Sequence, residues 1–386
     1  VQIQLSKLST FSQETFSGIR IIKAFTNEKS NADFFETETN KYLKENISLA
    51  RTNALFFPFM LLLIGLSTLL TIYIGGKEAI AGNITTGNIA EFIIYVNMLT
   101  WPMASIGWVT SIIQRADASQ KRINEFLKTE PEIVNLNNAK SEIKGNIKFD
   151  NVSYTYPDTG IKALNNVSFQ LQLGSTLAIV GKTGSGKSTV AQLINRLITP
   201  TQGEILVDDK KIEDLNLYDL RNNIGFVPQE SILFSDSISN NIAFGLKTNN
   251  DIERIKQAAK KANVHENILK FPNQYDTKVG ERGVTLSGGQ KQRISIARAL
   301  IKNPQILIFD DCLSAVDTKT EDSILSSIKA ESENKTSIII SHRISTIKHA
   351  DHIMVLDKGN IAEQGTHEQL IKLNGIYQEM NQQQSV

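Results

Sequence analysis

The feature that most limits the possible folds of this chain is a glycine-rich stretch, Gly181-Lys-Thr-Gly-Ser-Gly-Lys-Ser-Thr189. It follows an apolar run, Thr176–Val180, and precedes a helical pattern over Thr189–Leu197. A strand, a loop with this spacing and a helix in that order are typical of a phosphate-binding P-loop. The glycines allow successive N–H groups to converge on phosphate oxygens, and the helix N-terminus faces the same anion. The stretch therefore predicts a site for a nucleoside triphosphate.

Two side chains of the loop have distinct expected roles. Lys187 is placed to reach the β- and γ-phosphates, and Ser188 to offer a hydroxyl to magnesium. The predicted nucleotide contacts of this stretch are Gly181, Lys182, Thr183, Gly184, Ser185, Gly186, Lys187, Ser188 and Thr189.

A second apolar strand, Ile306–Phe309, ends in Asp310 and Asp311. Because an aspartate after such a strand can hold the magnesium that Ser188 also contacts, we expect Asp310 to be a metal ligand. Asp311 then stands where a base that orients water would lie. The alternative is a pair of surface carboxylates at a strand end.

A second glycine-rich helix start occurs at Leu286-Ser-Gly-Gly-Gln290 and opens a helix through Ala297. Such an N-terminus also favours phosphate. One γ-phosphate cannot easily occupy both helix starts of one chain. The pair therefore predicts a nucleotide sandwiched between two copies that meet face to face.

Composition limits the other possibilities. The chain has 386 residues, enough for two or three domains, and a net charge of +1, which gives no electrostatic reason to expect a nucleic-acid partner. Its single cysteine, Cys312, excludes a disulfide within the chain. The first residue is Val1 and no signal peptide follows it, so we expect an N-terminal part to be missing.

The N-terminal third predicts helices and two membrane spans. Helical spacing covers Ile3–Phe25, breaks at Thr26-Asn27 and resumes from Glu28 to Asn53. Uncharged runs follow at residues 54–76 and 92–113, each long enough to cross a bilayer. The alternative is a buried helical hairpin of a soluble protein.

Charge predicts the orientation of these spans. Lysines and arginines flank their outer ends, namely Lys41, Lys44, Arg51, Arg115, Lys121 and Arg122. The positive-inside rule therefore places both flanks, and everything after residue 115, in the cytoplasm. Two helices cannot enclose a transport path, which implies further helices or a partner chain.

Residues 128–145 lose the helical period and predict a linker. Alternating strands and helices from residue 146 predict an α/β domain with a largely parallel sheet.

In this order and spacing, the P-loop, Leu286–Gln290 and Asp310 resemble the nucleotide-binding domain of ATP-binding cassette (ABC) proteins over about residues 146–372. The resemblance includes the Q-loop Gln229, the switch histidine His342, the D-loop Ser314–Asp317, the exporter-like stretch Lys278–Gly283, and Tyr156, where the family stacks an aromatic ring on adenine. Ser17–Phe25 and the two apolar runs resemble the second cytoplasmic loop and final two membrane helices of an exporter half-transporter.

This resemblance implies a helical transmembrane region (residues 1–127) with a coupling helix near 26–32, a linker (128–145) and an α/β P-loop NTPase domain of ABC type (146–386). It implies ATP and magnesium as cofactors, and a second half-transporter and the bilayer of the cytoplasmic membrane as partners. It leaves the transported substrate open. The implied catalytic residues are Asp311, His342 and Gln229; the metal ligands are Ser188, Gln229 and Asp310; and the nucleotide contacts outside the P-loop are Tyr156, Ser287, Gly288, Gly289 and Gln290.

One departure from the family affects the predicted activity. The family's usual catalytic residue after the magnesium aspartate is glutamate, and this chain has Asp311. In the family an aspartate here often marks the slow, degenerate-site chain of a heterodimer. The hypothesis is therefore an ATP-driven exporter subunit of a heterodimer. The alternatives are a homodimer in which Asp311 is competent, a regulatory subunit that hardly hydrolyses ATP, and a soluble ABC ATPase, against which the two uncharged runs speak.

Overall fold

The computed structural model describes residues 1–246, 251–280, 286–312, 323–327, 329–330 and 335–384. The chain divides into two compact units, residues 1–130 and residues 131–386. The first unit is helical, and the second combines strands and helices.

The helices of the first unit are α1 (Gln2–Ser17), α2 (Ile19–Ala24), α3 (Glu28–Ile80) and α4 (Thr86–Lys128). The prediction of one continuous helix over Ile3–Phe25 is wrong, because the chain leaves the helix at Gly18. Glycine costs about 1 kcal/mol in a helix interior relative to alanine, so this is the residue at which an interruption is least expensive. The break predicted at Thr26-Asn27 is present, with Thr26 at φ 51°. The coupling-helix segment 26–32 thus comprises this turn and the first turn of α3, and its role stays a prediction.

Both long helices contain the predicted spans. α3 has 53 residues and α4 has 43. At about 1.5 Å per residue each exceeds the hydrocarbon thickness of about 30 Å. Each contains an 18-residue window of high mean hydropathy, 2.3 in α3 and 1.3 in α4, and neither window is buried within the structure. Burial would be expected of a core helix in a soluble protein, so length, composition and exposure agree with membrane spans.

The strands of the second unit are β1 (Ile147–Thr155), β2 (Lys162–Leu171), β3 (Thr176–Gly181), β4 (Gln202–Val207), β5 (Lys210–Lys211), β6 (Ile224–Val227), β7 (Ile306–Asp310), β8 (Thr336–Ile340), β9 (His352–Asp357) and β10 (Asn360–Gly365). Its numbered helices are α5 (Lys187–Ile194), α6 (Leu217–Asn222), α7 (Ile238–Ala243), α8 (Ile252–Lys261), α9 (His265–Leu269), α10 (Gly288–Leu300), α11 (Ile344–Ile347), α12 (His367–Lys372) and α13 (Ile376–Gln384). A 3₁₀ turn covers Gln274–Asp276, and residues 323–327 and 329–330 are also helical.

Two sheets form from the described strands. The larger has the order β10-β9-β3-β8-β7-β6 and is parallel except for β10. The smaller, β2-β1-β4-β5, is antiparallel and was not predicted. β3, β8 and β7 lie side by side, so the loops after them open at one edge of the sheet, where α/β proteins bind ligands.

Three apolar clusters hold this unit together. The first fills the space between the two sheets around α5, and includes Phe149, Ile179 and Leu193. The second joins α7, α8 and α10 to β6 and β7. The third packs α11, α12 and α13 on β3 and β9 around Tyr377, whose exposed fraction is 0%.

The predicted linker has no regular structure between Lys128 and Ile147, yet its second half is bound to the α/β unit. The Asp208 carboxylate accepts hydrogen bonds from three consecutive backbone N–H groups, those of Lys144 (2.6 Å), Gly145 (3.1 Å) and Asn146 (2.9 Å). Further back, Asn137 Nδ2 donates to the Asp214 carbonyl at 2.9 Å. Only the residues nearest α4 lack such anchors in the described part of the chain.

Candidate nucleotide-binding site

The P-loop is the tight connection from β3 to α5, and its glycines are required by space. Gly181 and Gly186 have φ values of 157° and 101°. A Cβ on Gly181 would collide with the Leu356 carbonyl oxygen, and one on Gly186 with that of Ala163. Ser185 Oγ is buried and has no hydrogen-bond partner among the described residues. A loop with clustered N–H groups and an unpartnered hydroxyl could hold a phosphate group.

Lys187 lies inside the curve of this loop. Its side chain is 7% exposed, and its Nζ donates to the carbonyl oxygens of Gly181 and Lys182, both at 2.8 Å. Burial lowers the pKa of Lys187, and the charges of Asp311 and Asp310 oppose this shift. The ammonium is therefore desolvated and aimed at the space that the loop encloses.

Ser188 and Asp310 meet at the ends of α5 and β7. Ser188 Oγ donates to Asp310 Oδ1 at 3.1 Å, and Asp310 is 5% exposed. Burial raises the pKa of Asp310, while the hydrogen bond from Ser188 lowers it. A hydroxyl and a carboxylate oxygen at this spacing are a donor set that fits Mg²⁺.

Asp311 and Gln229 lie beside this pair. The Asp311 N–H donates to the Ile340 carbonyl at 2.8 Å, and its backbone has φ 45°. Gln229, two residues after β6, points Nε2 at Asp311 Oδ2 from 3.5 Å. The predicted Q-loop and base positions are thus adjacent in space.

His342 enters the same cleft from the end of β8. Burial lowers its pKa, and the nearby charge of Lys187 lowers it further, whereas Asp311 and Asp310 act in the opposite direction. The imidazole is therefore expected to be neutral at pH 7.

Tyr156 closes the cleft from β1 and β2. Its hydroxyl lies 3.2 Å from Thr189 Oγ1 and 3.4 Å from Gln192 Oε1. Its ring packs edge-on against Tyr154 at a centroid distance of 5.0 Å, so a ring at this place is held in position.

The cleft has a volume of about 300 Å³. It is lined by eleven of the predicted residues, namely Tyr156, Thr183, Gly184, Gly186, Lys187, Ser188, Thr189, Gln229, Asp310, Asp311 and His342. Gly181, Lys182 and Ser185 complete the loop around Lys187. Sequence reasoning missed the apolar lining residues Ile161, Ala163 and Ile340, since an apolar residue beside a strand has no distinguishing signal.

The Ser287–Gln290 segment does not line this cleft. Ser287 is the N-cap of α10, with Ser287 Oγ accepting from the Gln290 N–H at 3.3 Å and Gln290 Oε1 accepting from the Ser287 N–H at 3.0 Å. Gly288 and Gly289 form the first turn. The D-loop, 314–317, and residues 281–283 of the exporter-like stretch lie outside the described residues.

Comparison with known proteins agrees with this architecture. The sequence profile described as "ABC transporter" matches residues 164–314, and that of the "ABC transporter transmembrane region" matches residues 1–103. The structure of a bacterial Atm1-family ABC exporter with ATP bound superposes with a TM-score of 0.88 at 34% identity, covering 98% of this chain and 67% of that one. The chain belongs to the ABC exporter family. Its second unit is the family's nucleotide-binding domain, which implies ATP binding.

Curated relatives of this ABC exporter chain include bacterial transport proteins. It is 40% identical to the multidrug resistance-like ATP-binding protein MdlA of Escherichia coli, over 100% of this chain and 65% of the relative. It is 39% identical to the ATP-dependent lipid A-core flippase of Syntrophus aciditrophicus, over 99% of this chain and 64% of the relative. The chain thus spans slightly less than two thirds of the length of these relatives.

Proposed function

We propose that this chain is one half of a dimeric exporter that uses ATP to move a substrate across the cytoplasmic membrane. The observation that carries the proposal is the convergence of the P-loop, Asp310, Asp311, Gln229 and His342 on one cleft, in a chain that also holds two helices able to span a membrane. The positive flanks of those helices support a cytoplasmic nucleotide-binding unit.

In this proposal the P-loop and Lys187 bind the phosphates of ATP, and Tyr156 packs on the base. Ser188 and Asp310, with Gln229 next to them, would hold Mg²⁺. When bound, that ion neutralises charge that develops on the phosphate oxygens. The buried ammonium of Lys187 acts on the same charge, and it is effective because few waters screen it.

Asp311 and His342 are the proposed groups that position the attacking water. Aspartate is one methylene shorter than glutamate, so its carboxylate is retracted by roughly 1.5 Å. A general base must lie within about 2.6–3.2 Å of the proton it takes, and such positioning contributes roughly 10²–10⁴-fold. We therefore infer slow hydrolysis at this cleft.

The Ser287–Gln290 helix start supports a dimer, because it is a phosphate-binding element outside its own chain's cleft. In a face-to-face pair it would cap the nucleotide on the partner's P-loop. ATP would then stabilise the closed pair, since a ligand shifts an equilibrium only by its differential affinity for the two states. The segment at residues 26–32 would carry this movement to the membrane helices as a coupling helix.

We favour a heterodimer in which this chain contributes a slow site and completes the fast site of a glutamate-bearing partner. Asp311 supports a slow site, and the intact Ser287–Gln290 segment supports a fast one on the partner. A homodimer with a competent Asp311, or a regulatory subunit with little hydrolysis, would be an outcome of the same test.

The test compares ATP hydrolysis by the full product of the gene, expressed without a partner, with that of its Asp311→Glu variant. Lys187→Met is the control that shows that the measured ATP hydrolysis comes from this protein and not from a contaminating ATPase. A slow natural protein that accelerates about 10²-fold, the scale of a restored base, supports the degenerate site. A fast natural protein that hardly changes favours the homodimer. Absence of Mg²⁺-dependent ATP binding would overturn the proposed function altogether.

A further inference from the structure

The loop that carries His342 is held from outside the cleft by a side chain of the C-terminal helix. Gln384 Nε2 donates to the His342 carbonyl oxygen at 2.6 Å. The Ile344 N–H donates to Gln384 Oε1 at 2.7 Å. One partner is an acceptor and the other a donor, so the two bonds fix the amide in a single orientation. The amide thus bridges the backbone on either side of Arg343.

The helix that presents Gln384 is firmly anchored. The Glu363 carboxylate accepts from the first two N–H groups of α13, those of Ile376 (2.5 Å) and Tyr377 (3.1 Å). Tyr377 is fully buried, and its hydroxyl lies 2.7 Å from His367 Nδ1. The start of α13 is therefore anchored to β10 and α12.

The start of the His342 loop is held by hydrogen bonds as well. The Ser341 N–H donates to the Ile179 carbonyl at 3.3 Å, and Ser341 Oγ accepts from the Arg343 N–H at 3.0 Å. Beyond that point the loop turns into α11. The Gln384 amide ties the His342 main chain to α13, while the imidazole lines the cleft with Lys187 and Asp311.

We propose that Gln384 is a positioning residue for ATP hydrolysis, which sets the place of the His342 imidazole by holding its backbone. This rests on the proposed function, in which His342 acts in hydrolysis. Gln384 does not line the cleft, so it acts on the rate and leaves nucleotide binding unchanged. A displacement of about 1 Å at a reacting group can cost up to roughly 10²-fold, and loss of a two-point backbone contact is expected to cost about 10-fold.

The experiment measures kcat and KM for ATP in the full gene product expressed without a partner, in lipid nanodiscs, so that every turnover takes place at a cleft that contains His342. Gln384→Ala removes both bonds. Gln384→Glu keeps the length and the acceptor for Ile344 but places a carboxylate against the His342 carbonyl. Gln383→Ala is the matched control, because Gln383 has the same chemistry and makes no side-chain hydrogen bond to any residue that the structure describes. His342→Ala and the double variant that combines His342→Ala with Gln384→Ala complete a double-mutant cycle.

We expect kcat to fall about 10-fold in both Gln384 variants, with KM for ATP unchanged, and Gln383→Ala to match the natural protein. In the His342→Ala background, Gln384→Ala should lower kcat no further, since two residues that act as a unit are not additive. A further drop of about 10-fold in kcat when Gln384→Ala is added to His342→Ala would overturn the proposal. An unchanged kcat in Gln384→Ala, or a normal kcat in Gln384→Glu, would also overturn it. If the natural protein neither binds nor hydrolyses ATP, the proposed function itself has failed.

Discussion

Lys302 is a cation that the fold uses as a backbone connector. Its Nζ donates to the carbonyl oxygens of Arg221 (2.6 Å) and Ile224 (2.7 Å), which joins the segment after α10 to the end of α6 and the start of β6. Burial lowers the pKa of Lys302 to about 8. The two carbonyl oxygens accept hydrogen bonds from the ammonium, but these bonds do not offset the cost of removing its hydration water, so the pKa stays lowered.

This shift predicts a pH dependence of stability. In the unfolded chain a lysine has a pKa of about 10.4, so between pH 8 and that value the unfolded state binds more protons than the native state. Stability contributed by this residue should therefore rise with pH across that window, by at most about 1.4 kcal/mol per pH unit. We expect the increase of the denaturation midpoint over this range to be smaller in Lys302→Met than in the natural protein. The control is the exposed Lys270→Met, and an equal slope in Lys302→Met and Lys270→Met would contradict the assignment.

Asp311 shows how the backbone limits a side chain. Its φ of 45° is unusual for a residue other than glycine, and its N–H is held by the Ile340 carbonyl at the sheet edge. The Asp311→Glu change therefore lengthens the side chain by one methylene at a point where the main chain is hydrogen-bonded to the sheet edge.

At the scale of elements, the second half of the linker is held by several hydrogen bonds, of which the Asp208 carboxylate makes three. These three come from the backbone N–H groups of residues 144–146, so this part of the linker is tied to the end of β4.

Asp208→Ala should release this segment. A hydrogen bond to a charged group contributes about 1.5–3 kcal/mol, so loss of even one raises the open population about tenfold. Limited trypsin digestion, read by mass spectrometry, should then show faster cleavage after Lys144, because cleavage follows the open population. Asp209→Ala is the matched control: Asp208 and Asp209 have φ 51° and 62°, so both changes carry the same backbone cost. Equal cleavage in the two variants would refute the anchoring role.

At the scale of the whole molecule, the proposed exporter depends on sites shared between two chains. The nucleotide cleft of this chain contains its P-loop but not its Ser287–Gln290 segment. In the proposed dimer, closure over ATP would let both elements contact phosphate.

Ser287→Arg tests this arrangement. In the assembled dimer it should lower ATP turnover by roughly 10²-fold, the usual loss when a donor to a phosphate-like charge is removed, while ATP still binds to this chain's own P-loop. Thr366→Arg removes the same kind of capping box, formed by Thr366 and Gln369 at the start of α12, so it controls for the lost helix cap. Turnover is measured in nanodiscs. Normal turnover in Ser287→Arg, or an equal loss in Thr366→Arg, would contradict the shared site.

Local patterns were sufficient to predict the elements that carry the chemistry. The P-loop, the β7 strand end and the α10 start each depend on spacing within fewer than about fifteen residues, and each uncharged span is one continuous run of about twenty residues. The α/β class and its parallel main sheet follow from alternating strand and helix patterns, and are confirmed by the family match and the fold. The resemblance then placed Gln229, His342 and Tyr156, which carry weak local signals on their own.

Contacts between distant parts of the chain required the tertiary structure. The antiparallel sheet, the break at Gly18, the anchoring of the linker by Asp208 and the bridge from Gln384 to the His342 loop were not predicted. Gln384 and His342 are 42 residues apart, and nothing in a glutamine-rich C-terminal helix distinguishes Gln384 from Gln383. Local propensity determines which segments become strands and helices, whereas the packing of those segments decides which polar side chain faces which backbone group.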